Sequence, residues 1–170
     1  MKTLSLVLTI VFGVLGCGWG VARCVNEVMF DRGCEGYLKR AADANTVEMA
    51  HEQLGIAVKY AEDNHLTTGY TSVLYNTPDE DMGFWYNNIS KSLTELESIT
   101  EKSTLLERSN MLMKLRETLL DDKKDGVTVT VPSGVHLYPY NVAYAIWGSF
   151  MWILCLLSGT VLFVKLDAYL

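Results

Sequence analysis

Residues 4–22 read LSLVLTIVFGVLGCGWGVA and residues 142–164 read VAYAIWGSFMWILCLLSGTVLFV, and neither run contains a charged side chain. At about 1.5 Å of rise per residue, each is long enough to cross a hydrocarbon core about 30 Å thick. A backbone in that medium must satisfy its own N–H and C=O groups, so both runs are read as transmembrane helices. The mean hydropathy of +0.15 therefore describes neither the ends nor the middle. The chain divides into an N-terminal anchor at 1–22, a helical domain outside the membrane at 23–141, and a C-terminal membrane helix with a short tail at 142–170.

The first run also has the form of a secretory signal, because MKT supplies a short positive segment ahead of the apolar one. VLGC at 14–17 approximates a lipoprotein cleavage site, which would place a lipid on Cys17. The run lacks the small-x-small pattern of an ordinary cleavage site, and Leu15 suits the position before Gly16 poorly. An uncleaved anchor is the expectation.

The middle holds 12 Lys and Arg against 19 Asp and Glu, a net charge of −7. That balance argues against nucleic acid or anionic headgroups as its partner. The expected partners are the lipid bilayer and other integral membrane subunits or a second copy of the chain. Lys2 and Lys165 flank the spans on one side, which suits cytoplasmic termini, whereas Arg23, Arg32, Lys39 and Arg40 favour the reverse. Loops longer than about 60 residues translocate largely regardless of charge. With the signal-like start, this places the domain on the extracytoplasmic side. Cys17 and Cys155 sit at different depths, and Cys24 and Cys34 are about 15 Å apart on a straight helix, so no disulfide is expected.

Three amphipathic helices are legible in the middle. Val47, Ala50, Leu54, Ala57, Val58 and Ala61 recur at spacings of three and four, after an Asn45 that can cap them. Met82, Trp85, Ile89, Leu93, Leu96 and Ile99 repeat the pattern in a helix read from Pro78 to Ile99. From Glu101 to Leu120, Leu105, Leu112 and Leu119 form one heptad row, and Leu106, Met113 and Leu120 the next. Residues 23–42 prolong the first membrane helix as a fourth member, with Gly33 and Gly36 costing about 1 kcal/mol each. After the charged turn DDKKDG, VTVTV at 127–131 alternates as a strand does, and its expected partner is YTSVLY at 70–75 or, as the other option, a subunit edge. The fold class is mainly α: a bundle of three to four helices between two membrane helices, with a short strand or hairpin.

Candidate chemistry is sparse. Glu48-Met-Ala-His51 and Glu62-Asp-Asn-His65 are Glu-x-x-His units of the kind that carboxylate-bridged di-metal bundles use. Their separation along one helix is about 21 Å, so they cannot share a metal. Asp79, Glu80 and Asp81 lack the alternating ligands of a calcium loop and read as a helix start, with Thr77 as N-cap, Pro78 at the first helical position and Glu80 closing a capping box. No nucleophile elbow, phosphate loop or Cys-x-x-Cys pair occurs, so neither a catalytic residue nor a metal nor a cofactor is assigned. Asn88-Ile-Ser90 matches a glycosylation triplet but is given no weight.

Gly16 and Gly20, Ala145 and Ser149, and Cys155 and Gly159 are each four apart and supply small faces for close helix packing. Trp19, Tyr138, Tyr140, Tyr144 and Trp147 form the aromatic belt of a helical hairpin. The order membrane helix, helical domain, membrane helix resembles the input half of bacterial chemoreceptors and sensor kinases, a likeness of architecture that rests on no motif. It implies a ligand-binding sensory module that signals through a partner subunit, and this is the alternative reading. The preferred one is a non-catalytic accessory or scaffold subunit of a membrane complex. Its contact residues are Tyr70, Tyr75, Phe84, Trp85 and Tyr86. Phe84 stands out because successive helical residues are about 100° apart, which turns it about 135° from the face of Met82, Ile89 and Leu93.

Overall fold

The structure, a computed structural model, describes residues 2–100, 102–123 and 126–167. The expected helix start at Glu101 and the centre of the charged turn, Lys124 and Asp125, lie outside the described residues. The fold is mainly helical with one small two-stranded sheet. It divides into two compact units, one of Met1–Asn26 with Tyr140–Leu170 and one of Glu27–Pro139.

The first unit is a pair of antiparallel helices, the early part of α1 (Lys2–Phe30) and α6 (Asn141–Asp167). Two helical stretches, Thr3–Ala42 and Asn141–Val164, are long and apolar enough to cross a membrane.

In the second unit α1 passes through a wider turn at Asp31–Glu35 into α2 (Gly36–Ala42). The wide turn keeps Phe30, Cys34, Leu38 and Ala41 in one buried row, although steps of four residues overshoot an ordinary helical turn. α3 (Val47–Asp63) buries all six of its predicted apolar residues. Its cap is Thr46, whose hydroxyl accepts from Met49 N–H at 3.2 Å, rather than Asn45. The helix ends in a Schellman turn: Leu66 N–H donates to Ala61 O at 2.7 Å and His65 N–H to Glu62 O at 3.1 Å. His65 takes the left-handed position there, with φ 58°.

α4 (Met82–Ser98) starts four residues later than expected. Pro78–Glu80 forms a separate 3₁₀ turn, and Asp81 caps α4 by accepting from Phe84 N–H at 3.0 Å. Thr77 is thus not the helix cap; its hydroxyl bonds Glu80 instead. Met82, Trp85, Ile89, Ser92 and Leu96 are buried. α5 (Leu105–Leu119) opens with a full capping box between Thr104 and Glu107. The heptad rows expected for this helix are corrected by the burial. Leu115 and Leu119 are core and Met111 and Leu112 half-buried, whereas Leu105 is 87% exposed and Leu106 and Met113 are exposed. A seven-residue step falls only about 20° short of two turns, so Leu112 and Leu119 do share the core face with Met111 and Leu115, whereas Leu105 and Leu106 lie in the first turn of α5 and stay exposed.

β1 (Leu120–Lys123) and β2 (Gly126–Val129) form an antiparallel hairpin with Leu120 opposite Val129 and Asp122 opposite Val127. The expected pairing with residues 70–75 does not occur; that stretch contributes one isolated bridge, Tyr70 to Asp81. A strand adjacent in sequence wins because closing a short loop loses less chain entropy than recruiting a segment some fifty residues away. One core joins α2, α3, α4, α5 and the hairpin, centred on Leu38, Leu54, Met82, Ile89 and Leu119.

Candidate functional site

The helix pair of the first unit is held by reciprocal glycine–tryptophan seats. A Cβ on Gly148 would stand 2.5 Å from the Trp19 ring, and one on Gly16 would stand 3.4 Å from the Trp152 ring. Trp19 Nε1–H donates to Tyr144 O at 2.7 Å, Asn26 Nδ2–H donates to the Tyr144 hydroxyl at 2.9 Å, and the Arg23 guanidinium lies 4.8 Å from the Trp19 ring centre. At the other end Ser5 Oγ–H donates to Ser158 O at 2.8 Å, and Thr9 Oγ1 lies 3.0 Å from Ser158 Oγ. Such bonds between apolar helices contribute roughly 0.6 kcal/mol each.

Of the packing residues expected from sequence, Gly16 is seated against α6. A methyl group added at Gly20 or Gly159 would meet nothing within 4 Å, Ala145 is half-buried and Ser149 exposed, so these four are not the seat. Gly148 and Trp152 escape a pattern that pairs small residues only with small residues. The signal that marks them is Gly16 to Trp19 and Gly148 to Trp152, a glycine and a tryptophan one turn apart on each helix.

In the second unit the sequence-predicted contact residues separate. Trp85 is core: it is 5% exposed and its Nε1–H donates to Thr130 O at 3.0 Å, which ties α4 to the end of the hairpin. What remains exposed of it lines the cleft beside Phe84. Tyr86 is half-buried and its hydroxyl donates to Glu62 Oε1 at 2.7 Å. That bond, with a smaller contribution from burial, pushes the Tyr86 phenol above its ordinary value, so it keeps its proton.

Phe84 is 66% exposed, as its angular position requires, and Tyr75 is 76% exposed. The loop before α4 is pinned to the start of that helix: Met82 N–H donates to Gly69 O at 2.9 Å and Thr71 N–H to Glu80 O at 3.0 Å. The Tyr138 hydroxyl donates to Thr68 O at 2.6 Å and occupies the space a side chain on Gly69 would need. With φ +96°, Gly69 is fixed by both conformation and room. These bonds hold Tyr70 near Asp81 while Val73, Leu74 and Tyr75 remain exposed.

Beside Phe84 lies a cleft of about 440 Å³ walled by α4, the 3₁₀ turn, the end of α5 with β1, and residues 129–133 from the end of β2 onward. Asp79, Asp81 and Asp121 line it, and no Lys, Arg or His does so among the described residues. The two Glu-x-x-His units are used elsewhere. Glu48 pairs with Arg108 at 3.1 Å, His51 stands 3.4 Å from Glu97, and Glu62 and His65 serve Tyr86 and the helix end. Among the described residues no group of three or more His, Cys, Asp or Glu is placed to hold a metal ion. Cys17, Cys24, Cys34 and Cys155 are all free thiols.

No protein-family model, curated protein or solved structure matches the chain. Sequence and geometry alone carry the functional reading.

Proposed function

We propose that this chain is a non-catalytic accessory or scaffold subunit of a membrane protein complex. In this reading α1 and α6 are the membrane anchor and the helices of residues 23–141 stand on the extracytoplasmic side. Support for the anchor comes from the outward apolar faces of both helices, on which Leu4, Ile10, Val14, Ile146, Ile153, Leu156 and Phe163 are all exposed. A helix that is apolar all round needs lipid or protein around it.

The single observation that carries the partner-binding role is the rigidly presented aromatic surface at the start of α4. Phe84 projects from a capped helix and Tyr70 is bridged to the same start, so neither needs to be ordered when a partner arrives. Preordered aromatic anchors of this kind carry a large share of interface energy. Blue-native electrophoresis of gently solubilised membranes tests the reading. A complex well above 19.0 kDa that Phe84→Ala weakens, at unchanged melting temperature, is the expected result. Migration of the wild type as a free monomer refutes it.

A further inference from the structure

We infer that the cleft beside Phe84 receives an arginine side chain from a protein partner. The inference rests on the partner-binding reading above and gives that partner's chemistry.

The cleft has two kinds of wall. One is apolar and aromatic, made by the exposed ring of Phe84 and the edge of buried Trp85. The other carries Asp79, Asp81 and Asp121. Asp81 is engaged by the Phe84 N–H, whereas Asp79 and Asp121 are exposed and form no ion pair among the described residues. The α4 N-terminus also points here, and its dipole contributes only about half a positive charge against three carboxylates. The field in the cleft is therefore negative, and its occupant is a cation.

Metal is disfavoured, because no group of three or more acidic, His or Cys side chains among the described residues is placed to hold an ion. An organic cation that can also use the aromatic wall of Phe84 and Trp85 fits this lining better than a point charge. Guanidinium is flat, weakly hydrated, able to lie on an aromatic face and able to donate in several directions at once. Lysine offers one compact, strongly hydrated charge and uses the Phe84 face less well. A volume of about 440 Å³ holds such a side chain together with the apolar residue beside it. Ile89, Val129, Val131 and Pro132 supply further apolar surface in the cleft itself. The partner segment thus combines an arginine with neighbouring aliphatic residues, and it complements a domain of net charge −7.

The test uses the full chain in phosphatidylcholine nanodiscs, whose neutral lipid does not attract a cationic probe. The probe is the peptide acetyl-Gly-Leu-Arg-Leu-Gly-amide, compared with the same peptide carrying citrulline, which keeps the shape and removes the charge. The readout is the NMR shift of the Trp85 indole N–H, identified by its loss in Trp85→Phe. The arginine peptide is expected to shift it, with an affinity roughly tenfold above that of the citrulline peptide and falling with salt. Asp79→Asn with Asp121→Asn, both at exposed positions, should bring the two peptides level while leaving the melting temperature unchanged. Equal binding of the two peptides by the wild type overturns the inference, as does an indole signal that ignores both.

The same double variant in native membranes separates this inference from the reading it rests on. A complex that survives the double variant but is lost in Phe84→Ala overturns the arginine contact and keeps the accessory-subunit reading. A wild-type chain that runs as a free monomer yet binds the peptide in an arginine-dependent way keeps the cleft's chemistry and overturns the subunit reading.

Discussion

Gly33→Ala and Gly55→Ala are the same chemical change in two helical segments, and the structure gives them opposite signs. In an exposed helix interior, replacing glycine by alanine gains about 1 kcal/mol, because glycine has more backbone freedom to lose. At Gly55 the added methyl meets only Leu93 Cδ1, at 4.0 Å, so that gain is realised. At Gly33 the methyl would stand 2.3 Å from Tyr60 Cε2 and 2.7 Å from Cδ2. Tyr60 cannot simply swing aside, since its ring packs edge-on against Phe30 with centroids 6.1 Å apart. Overpacking of this kind costs roughly 1–3 kcal/mol, which exceeds the propensity gain and leaves a net loss of about 1 kcal/mol. At about 4 °C per kcal/mol for a domain of this size, Gly33→Ala should lower the melting temperature by about 4 °C and Gly55→Ala should raise it by a similar amount. Thermal unfolding of the full chain in detergent micelles, followed by far-ultraviolet circular dichroism, measures both. In a Tyr60→Ala background the obstacle is gone and Gly33→Ala should become stabilising. If Gly33→Ala stabilises the wild-type chain as much as Gly55→Ala does, Tyr60 of α3 does not sit over Gly33 and the packing of the wide turn Asp31–Glu35 on α3 is wrong.

Three further outcomes follow from the geometry. Gly148→Ala should unseat Trp19 and lower the thermal stability of the α1–α6 helix pair by roughly 1–3 kcal/mol, whereas Gly159→Ala should leave it unchanged; equal effects would reject the glycine–tryptophan seats. His65→Gly should stabilise by about 1 kcal/mol, because glycine takes the left-handed position without the Cβ penalty, and His65→Val should destabilise; chemical denaturation reads both. The Glu48 and Glu107 carboxyls are held below the usual carboxylate range, first of all by backbone N–H groups at the starts of their helices. The unfolded chain therefore binds more protons. The stabilisation they give is present above the unfolded carboxyl range and is lost as pH falls through the folded values. Glu107→Gln should accordingly flatten the fall of melting temperature on acidification, and an unchanged slope would contradict the capping geometry.

Much of this architecture is legible from local signals. An uncharged run of sufficient length specifies a helix of membrane-crossing size whatever surrounds it, and residues 4–22 and 142–164 satisfy that condition on their own. The faces of α3 and α4 are equally local, since spacings of three and four place Leu54 or Ile89 on one side before any partner is specified. The exposure of Phe84 follows from the same arithmetic, as the residue that the α4 face leaves out.

Tertiary structure decided whatever depends on a second segment. Asp81 rather than Thr77 caps α4, because the loop bonds of Gly69 and Thr71 break the chain into a separate 3₁₀ turn first. Trp85 looks like a contact residue in the sequence and is core in the fold, because the carbonyl that takes its indole N–H lies at Thr130, beyond a hairpin whose first strand, LDDK, shows no alternation of apolar residues. β1, with the polar sequence LDDK, is a strand only because β2 is there to pair with it. The glycines divide in the same way: Gly16, Gly33 and Gly148 matter because of rings that arrive from elsewhere in the chain, and Gly20 and Gly159 meet none. Sequence by itself determined where the two long apolar helices run and which sides of α3 and α4 are apolar, since those properties are set within a few turns. What covers each face, and which small residue must stay small, was decided only when distant segments packed together.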